Sequence, residues 1–175
     1  MIRLFSFNTC EILYIFNKND KISYGDIMKT KLTNSAAETT HLGFQVGLLL
    51  KPGMVVLLEG DLAMGKTTFT KGIGQALGIK RTINSPTYTI MKRYINNEQK
   101  LYHVDLYRLE DVNSDFDLED YINSDGISVV EWPFKVKDIL PKHYLLIRFE
   151  DLGNDQRKIT FEALGEYYES VVNYL

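Results

Sequence analysis

The 175-residue sequence has one cysteine, Cys10, and three histidines, so it can form no internal disulfide and shows no Cys/His cluster typical of a zinc site. It also lacks a basic excess. The formal net charge of −3 argues against a broad nucleic-acid-binding face, although contact with RNA through a partner stays possible. No apolar run approaches the roughly 20 residues that span a bilayer. We therefore expect a cytoplasmic protein without membrane contact.

A chain of this length can bury a sufficient core as one domain, without disulfides or a structural metal. Residues 1–27 stand apart, because polar residues interrupt their apolar residues irregularly and no signal-peptide pattern is present. They could form a short hairpin or an added strand. We predict a single domain over residues 28–175, and we interpret residues 1–27 as an atypical extension from an upstream start codon, with Met28 as the native start.

The most informative stretch, residues 60–67, matches the P-loop pattern G-x-x-x-x-G-K-[ST] without a mismatch. Gly60 and Gly65 can adopt backbone angles that other residues avoid, so that successive N–H groups turn toward an anion. Lys66 adds a positive charge that reaches the β- and γ-phosphates, and the Thr67 hydroxyl is a hard oxygen ligand for Mg²⁺. The nucleotide-binding residues predicted here are Asp61, Leu62, Ala63, Met64, Gly65, Lys66, Thr67 and Thr68.

The residues on either side of the P-loop support this interpretation. A continuous apolar run over Met54–Leu58 precedes the loop, as expected of a strand buried on both faces. A helix follows the loop and is predicted to stop near Gly78. Strand, glycine-containing loop and helix are the setting that a phosphate-binding loop requires. The helix is indicated by apolar residues at helical spacing: Phe69, Ile73, Ala76 and Leu77.

An earlier helix is predicted to begin at Asn34 or Ser35, either of which is a good N-cap. It should end before the turn at residues 51–53, where proline and glycine follow a lysine. Thr39 lies one turn into this helix. The residues alone favour an exposed threonine there, with no functional role.

A polar turn at residues 96–98 joins two predicted strands into an antiparallel hairpin. Thr87, before the first strand, could sense a γ-phosphate and its metal, or could bond to the local backbone of a turn; the residues leave both open. Asp105 ends the second strand, where a carboxylate can support the Mg²⁺ shell or orient a water. His103 is interpreted as a structural hydrogen-bonding residue.

The run Ile127–Glu131 is an apolar strand that ends in a carboxylate, as in a Walker B element. The alternative for Glu131 is a surface acid after a strand. Trp132 could stack near a nucleotide or close the core, and core packing is the more frequent role. Six carboxylates between Glu110 and Asp120 indicate a solvated face, because the spacing of an EF-hand calcium loop is missing. Strands at 145–149 and 157–162 and a helix at 165–175 are predicted to close the domain.

With these motifs in this order, the chain resembles the bacterial TsaE ATPases (also called YjeE), which serve threonylcarbamoyladenosine modification of tRNA. The resemblance runs from about Met28 to the last strand and is far more specific than a P-loop alone. The motifs that carry it are the P-loop followed by Thr68-Phe69, Ser85-Pro86-Thr87-Tyr88-Thr89, His103-Val104-Asp105-Leu106-Tyr107-Arg108 and Glu131-Trp132-Pro133.

The resemblance implies an α/β fold: a P-loop NTPase-type mixed β-sheet flanked by helices, with antiparallel hairpin additions. It implies binding and slow hydrolysis of ATP, with Mg²⁺ held by Thr67 and Glu131. Nucleotide contacts outside the P-loop would come from Thr39, Trp132 and Arg157. The catalytic residues implied are Lys66, Thr87, Asp105 and Glu131.

The resemblance also implies a protein partner. Family members act with the TsaB–TsaD pair, which transfers a threonylcarbamoyl group to adenosine 37 of tRNAs reading ANN codons. ATP turnover would reset that assembly, and contact with tRNA would be only indirect. An acidic chain without a basic stripe suits such a role.

Two features depart from the family pattern. Ala63-Met64 stands where Gly-Ala is usual, which would weaken nucleotide binding, and residues 1–27 are foreign to the family. Two other functions stay open: a small-molecule P-loop kinase, and a nucleotide-dependent interaction module without useful hydrolysis. A kinase usually has a lid with several arginines, whereas the arginines between the P-loop and Glu131 are scattered.

Overall fold

The structure is a computed structural model that describes residues 27–96, 98–109, 118–122 and 124–175. The predicted N-terminal extension lies outside this part of the chain, except for its last residue. Most of the acidic stretch from Glu110 to Asp120 lies outside it as well. No helix within these ranges is both long enough and apolar enough to cross a membrane.

The described residues form seven strands, four helices and one 3₁₀ segment at Pro133–Ile139. The strands are β1 (Ile27–Thr33), β2 (Val55–Glu59), β3 (Met91–Asn96), β4 (Gln99–Asp105), β5 (Ile127–Glu131), β6 (Tyr144–Gly153) and β7 (Gln156–Leu164). The helices are α1 (Ala36–Gly47), α2 (Lys66–Ala76), α3 (Leu118–Ile122) and α4 (Glu166–Tyr174).

In the part of the chain that the structure describes, seven strands form one sheet in the order β1-β7-β6-β2-β5-β4-β3. The central strands β6, β2, β5 and β4 run parallel to one another. The pairs β1–β7, β6–β7 and β3–β4 are antiparallel. The predicted mixed sheet with antiparallel hairpin additions is confirmed, and the parallel centre brings the carboxyl ends of β2, β4 and β5 to the same edge.

The apolar run of β2 divides the core between the two faces of the sheet. Val56 and Leu58 pack on the side that α1 and α2 cover, together with Phe69 and Ile73 of α2. Val55 and Leu57 pack on the opposite side with residues of β4, β5 and β6. Because both faces of β2 are covered, the strand before the P-loop is held on each side.

The start of α1 is set by a local hydrogen-bonding pattern. Ser35 is the N-cap and accepts a hydrogen bond from the backbone N–H of Glu38 at 3.1 Å. The Glu38 carboxylate in turn accepts the backbone N–H of Asn34 at 2.8 Å. This reciprocal arrangement is close to a capping box and satisfies N–H groups that the first turn leaves unpaired.

Glycines let α1 and α2 approach each other backbone to backbone. A Cβ atom on Gly43 would lie 2.1 Å from the carbonyl oxygen of Phe69, and one on Gly72 would lie 2.0 Å from that of Thr40. No side chain fits in these gaps. The packing therefore fixes the helix that begins at the P-loop against its neighbour.

The strand β1 was not predicted as such, and its burial pattern explains why. Met28 and Leu32 are exposed, whereas Lys29 and Lys31 are half-buried and point to the other face. Lys29 reaches the carbonyl oxygen of Asn173 in α4 at 3.5 Å. Apolar residues facing out and lysine stems facing in are the reverse of the pattern that indicates a strand in a sequence.

Candidate functional site

The P-loop connects β2 to α2 with the backbone angles that the sequence requires. Gly60 has a φ of +142° and Gly65 a φ of +102°, both in the region that favours glycine. A Cβ on Gly60 would also lie 2.8 Å from the carbonyl oxygen of Phe149. Gly65 is the N-cap residue of α2, so the positive end of that helix lies at the loop.

Lys66 is buried within the loop that carries it. Its ammonium donates hydrogen bonds to the carbonyl oxygens of Gly60 at 2.6 Å and Asp61 at 2.8 Å. It also lies 4.5 Å from the centre of the Trp132 ring. Burial lowers the pKa of Lys66, although the charges of Glu131, Asp105 and Asp61 act in the opposite direction.

Glu131 lies at the end of β5, and its carboxylate faces the first turn of α2. The Thr67 hydroxyl donates to Oε1 of Glu131 at 2.9 Å, and Nε2 of His103 lies 2.8 Å from the same oxygen. Glu131 is only 4% exposed, so the alternative interpretation of this residue as a surface acid after a strand is wrong. The expectation that His103 makes a hydrogen bond is confirmed, because its ring is buried completely and Nε2 contacts Glu131.

Asp105 is the register partner of Glu131 on the neighbouring parallel strand, but it binds a different segment. Its Oδ2 accepts the hydroxyls of Ser85 at 3.1 Å and Thr87 at 2.5 Å. Its Oδ1 accepts the backbone N–H of Tyr107 at 3.0 Å. The local-backbone alternative for Thr87 is therefore wrong, since its hydroxyl contacts a strand-end carboxylate and the Ser85 hydroxyl.

Trp132 follows Glu131 and has a left-handed backbone, with a φ of +59°. Its backbone N–H donates to the carbonyl oxygen of Leu58 at 3.2 Å, and the centre of its ring lies 5.1 Å from the centre of the Tyr107 ring. A cleft of about 710 Å³ opens beside this half-buried ring, lined by the P-loop, the 3₁₀ segment and the end of β6. Trp132 both packs on the core and borders the cleft, so its two predicted roles are compatible.

Thr39 and Arg157 approach the site from the side of β1. Thr39 is 2% exposed, which contradicts the exposed threonine that the residues alone favour. Its methyl group lies 3.7 Å from where a Cβ of Gly65 would be, and its hydroxyl contacts that of Thr33 at 2.8 Å. Arg157 is the register partner of Thr33, and it donates to Asp151 at the cleft at 2.7 Å.

The remaining P-loop residues differ in exposure. Asp61, Leu62 and Ala63 are exposed, and Leu62 is 62% exposed at the tip of the loop. Met64 is half-buried between the core and the cleft, and Thr68 is half-buried in α2. Ala63 has a φ of +64°, in the left-handed region that costs a residue with a Cβ roughly 1–2 kcal/mol.

The oxygens near Lys66 are of the kind that Mg²⁺ prefers. Thr67 offers a hydroxyl and Glu131 a carboxylate, and they lie within hydrogen-bonding distance of each other. Among the described residues, no group of three or more His, Cys, Asp or Glu side chains could hold a metal by itself. Magnesium commonly binds through one or two protein oxygens, substrate phosphates and water, and this site fits that pattern.

Ser85 and His103 were not among the predicted site residues, and His103 was expected only to make a structural hydrogen bond. Ser85 joins Thr87 on Asp105, and His103 joins Thr67 on Glu131. The sequence did place Ser85 and His103 inside motifs next to predicted site residues. Their contacts depend on which strands are neighbours, however, and a single sequence does not give that order.

Taken together, the sheet order, the glycine loop at the end of β2 and the two carboxylates on adjacent strands define an α/β protein of the P-loop class. Comparison with solved structures agrees with this class. The crystal structure of Bacillus subtilis YdiB superposes with a TM-score of 0.76 at 36% sequence identity, covering 87% of this chain and 96% of that one.

The chain belongs to the TsaE family. The family model described as "Threonylcarbamoyl adenosine biosynthesis protein TsaE" matches residues 33–159. Two proteins named "tRNA threonylcarbamoyladenosine biosynthesis protein TsaE" are among its relatives. The one from Bacillus subtilis is 43% identical over 82% of this chain and 90% of its own length. The one from Treponema pallidum is 39% identical over 74% of this chain and 96% of its own length.

Proposed function

We propose that this protein works in the biosynthesis of threonylcarbamoyladenosine in tRNA, as a Mg²⁺-dependent ATPase with slow intrinsic turnover. In this proposal it supports the TsaB–TsaD pair and contacts tRNA only through that assembly, in the cytoplasm. The names of the relatives support the pathway. One observation carries the ATPase part: Lys66, Thr67 and Glu131 meet at the P-loop, at the carboxyl ends of the parallel strands.

The loop offers what a triphosphate needs. The N-terminal end of α2 supplies backbone N–H groups and a positive helix end, and Lys66 supplies a full charge. The two carbonyl oxygens that now hold the ammonium are neutral, whereas phosphate oxygens carry negative charge and attract the ammonium more strongly. We therefore expect Lys66 to turn from its own loop to the β- and γ-phosphates.

Thr67 and Glu131 are the residues that would hold Mg²⁺. When bound, the ion would neutralise charge that develops on the phosphate oxygens. Asp105 would position Thr87 through the hydrogen bond that joins them, and Thr87 would belong to a loop that responds to the γ-phosphate. Thr39, Trp132 and Arg157 would contact the nucleotide from around the cleft.

A nucleotide-dependent interaction module without useful hydrolysis is a second candidate, and a specific observation favours it. Ala63 carries a strained backbone angle in the phosphate loop, and Met64 places a large side chain beside the cleft. Both features change the loop that positions the phosphates, and a misplaced γ-phosphate would slow hydrolysis even where ATP still binds. The kinase alternative gains no such support. In the described residues Arg81 lies over the Tyr94 ring and Arg108 over the Tyr88 ring, so these two arginines form no joint lid.

Phosphate release should be measured with the purified protein alone and with a TsaB–TsaD pair, in each case with and without Mg²⁺. We expect slow Mg²⁺-dependent release by the protein alone and a change in rate with the pair. ATP-dependent co-purification with the pair would support the partner assignment. Glu131→Gln is the variant that tests the centre, because it keeps the shape of the side chain and removes its charge.

The outcomes separate the three candidates. ATP binding and partner capture without phosphate release would favour the interaction module. Phosphorylation of a metabolite in the absence of the pair would favour the kinase. Phosphate release that is the same in wild type and Glu131→Gln, with or without Mg²⁺, would contradict the proposed ATPase centre.

A further inference from the structure

His103 is a buried, chemically versatile side chain that the proposed mechanism does not yet use. It lies on β4, its exposed fraction is 0%, and its Nε2 is 2.8 Å from Oε1 of Glu131. The same oxygen accepts the Thr67 hydroxyl at 2.9 Å. Side chains from β4, β5 and α2 therefore meet at a single carboxylate oxygen.

The surroundings of the imidazole decide which nitrogen carries the hydrogen of a singly protonated ring. Nδ1 is buried and has no hydrogen-bond partner among the described residues. A hydrogen on Nδ1 would leave a buried donor unpaired and would set the lone pair of Nε2 against the oxygen of Glu131. A hydrogen on Nε2 avoids both costs. Nε2–H therefore donates to Glu131.

We propose that His103 is a positioning residue, whose Nε2–H holds the Glu131 carboxylate in the orientation that a divalent cation at the P-loop requires. This inference rests on the proposed function. Thr67 and Glu131 are both offered to the cation, so the bond between them competes with metal binding. The ring of His103 is buried completely and is not offered to the cation, and the carboxylate keeps further lone pairs for a metal while it accepts Nε2–H. Partners of this kind behind a metal-binding carboxylate commonly change metal affinity about 10- to 100-fold when they are removed.

A purely structural role for His103 makes a different prediction. In that case its loss would lower the thermal stability of the fold, and the Mg²⁺ requirement of the remaining folded protein would not change. A positioning role requires the Mg²⁺ requirement to change, and it requires a substitute that keeps the N–H donor to restore it.

The test is a Mg²⁺ titration of ATP binding, followed by the fluorescence of Trp132, which is the only tryptophan in the sequence and lies beside Lys66. The variants are His103→Leu, which removes the donor at similar volume, and His103→Gln, whose amide N–H lies about as far from the backbone as Nε2. His41→Gln, at an exposed position of α1, is the matched control.

We expect His103→Leu to raise the midpoint Mg²⁺ concentration at least about 10-fold, in line with the lost partner. His103→Gln should stay within about threefold of wild type, and His41→Gln should not differ from it. An unchanged midpoint in His103→Leu, or equal shifts in the leucine and glutamine variants, would overturn the inference. ATP binding by the wild-type protein that does not depend on Mg²⁺ would also overturn the inference. If ATP binds with Mg²⁺ but is never hydrolysed, only the ATPase proposal fails.

A spectroscopic measurement keeps the test decisive if His103→Leu does not fold. Nitrogen-15 NMR of histidine-labelled wild-type protein should show the His103 hydrogen on Nε2, with a resonance that shifts in Glu131→Gln. A hydrogen on Nδ1, or a His103 resonance at the same chemical shift in wild type and Glu131→Gln, would overturn the inference without any measurement of activity.

Discussion

Asp105 and Glu131 are register partners on adjacent parallel strands, yet their carboxylates hold different parts of the molecule. Asp105 accepts the hydroxyls of the loop at residues 85–87, whereas Glu131 accepts the hydroxyl of Thr67 in α2. The two acids are both buried, with 3% and 4% of their surfaces exposed. Their roles should therefore be separable by substitution.

We predict that Glu131→Gln raises the Mg²⁺ concentration needed for half-maximal phosphate release by about 10-fold or more, because a charged metal ligand is lost. Asp105→Asn should lower the maximal rate instead, since the Ser85 and Thr87 hydroxyls lose a carboxylate acceptor, and should leave the Mg²⁺ midpoint within about threefold. Rates measured over a Mg²⁺ series with both variants check this. Equal changes of midpoint in the two variants would contradict the separation.

Lys66→Met should weaken ATP binding by about 10- to 100-fold, because charged hydrogen bonds contribute about 1.5–3 kcal/mol. The free energy of unfolding should fall by less than about 1 kcal/mol, since methionine keeps the apolar stem and removes a buried charge. Trp132 fluorescence gives the affinity and urea denaturation gives the stability. Lys71→Met, at an exposed lysine of the same helix, is the control that should bind ATP as wild type does. Full affinity in Lys66→Met would exclude the P-loop as the nucleotide site.

The lowered pKa of Lys66 predicts how stability depends on pH. Burial places the folded-state pKa below the ordinary 10.5, so between these two values the unfolded chain binds more protons than the folded one. The contribution of Lys66 to unfolding free energy should therefore rise with pH through this alkaline window. Urea denaturation of wild type and Lys66→Met at a series of pH values in this alkaline range measures the contribution of Lys66 as the difference between their free energies of unfolding. A difference between the two proteins that stays constant with pH would contradict the prediction.

Ala63→Gly should stabilise the protein, by up to about 1.5 kcal/mol. Glycine removes roughly 1–2 kcal/mol of left-handed backbone strain at a φ of +64°, and it costs about 0.4–1 kcal/mol through the greater freedom of the unfolded chain. Thermal unfolding measures the balance, and ATP titration tests whether a relaxed loop binds more tightly. The same change at Ala37, exposed in the first turn of α1, should only destabilise. Loss of stability in Ala63→Gly equal to that in Ala37→Gly would show that the loop is not strained.

Gly43→Ala should destabilise the fold by about 1–3 kcal/mol or more, because the new methyl group meets the backbone of Phe69 at 2.1 Å. The helix that starts at the P-loop would have to shift, so ATP binding should weaken as well. Gly53→Ala is the control: its φ is +86°, but nothing lies within 4 Å of the new Cβ. Denaturation and ATP titration of the two variants distinguish the effect of the new contact with Phe69 in Gly43→Ala from the effect of backbone strain in Gly53→Ala. Equal ATP affinities would show that this helix contact does not govern the loop.

The local features of the site could be predicted from the sequence because their signals are local. The glycine spacing predicted the P-loop, the apolar run predicted β2, and Ser35 as an N-cap candidate predicted the start of α1. Each of these depends on residues within a few positions of one another, where backbone preference and side-chain capping decide the conformation. The predicted hairpin of β3 and β4 is confirmed for the same reason.

The features that were missed depend on distant neighbours. Thr39 is buried because β1 passes beside it, and β1 has its lysines turned inward, which conceals the strand in the sequence. Thr67 and Glu131 are 64 positions apart, and only the family resemblance implied that they meet, because their contact follows from the placement of β5 next to β2. Sheet order and register across parallel strands are set by packing of the whole core, which one sequence does not display.

The position of β1 at the sheet edge has a practical consequence for handling the protein. Of the seven residue pairs that join β1 to β7, only Ile27 with Ala163 precedes Met28. Of the pairs between described residues, a trimmed version that starts at Met28 would lose only this one, and it would keep Thr33 and Thr39. Every residue of the candidate site lies after Met28, so the trimmed version still contains the site that crystallisation with nucleotide would examine.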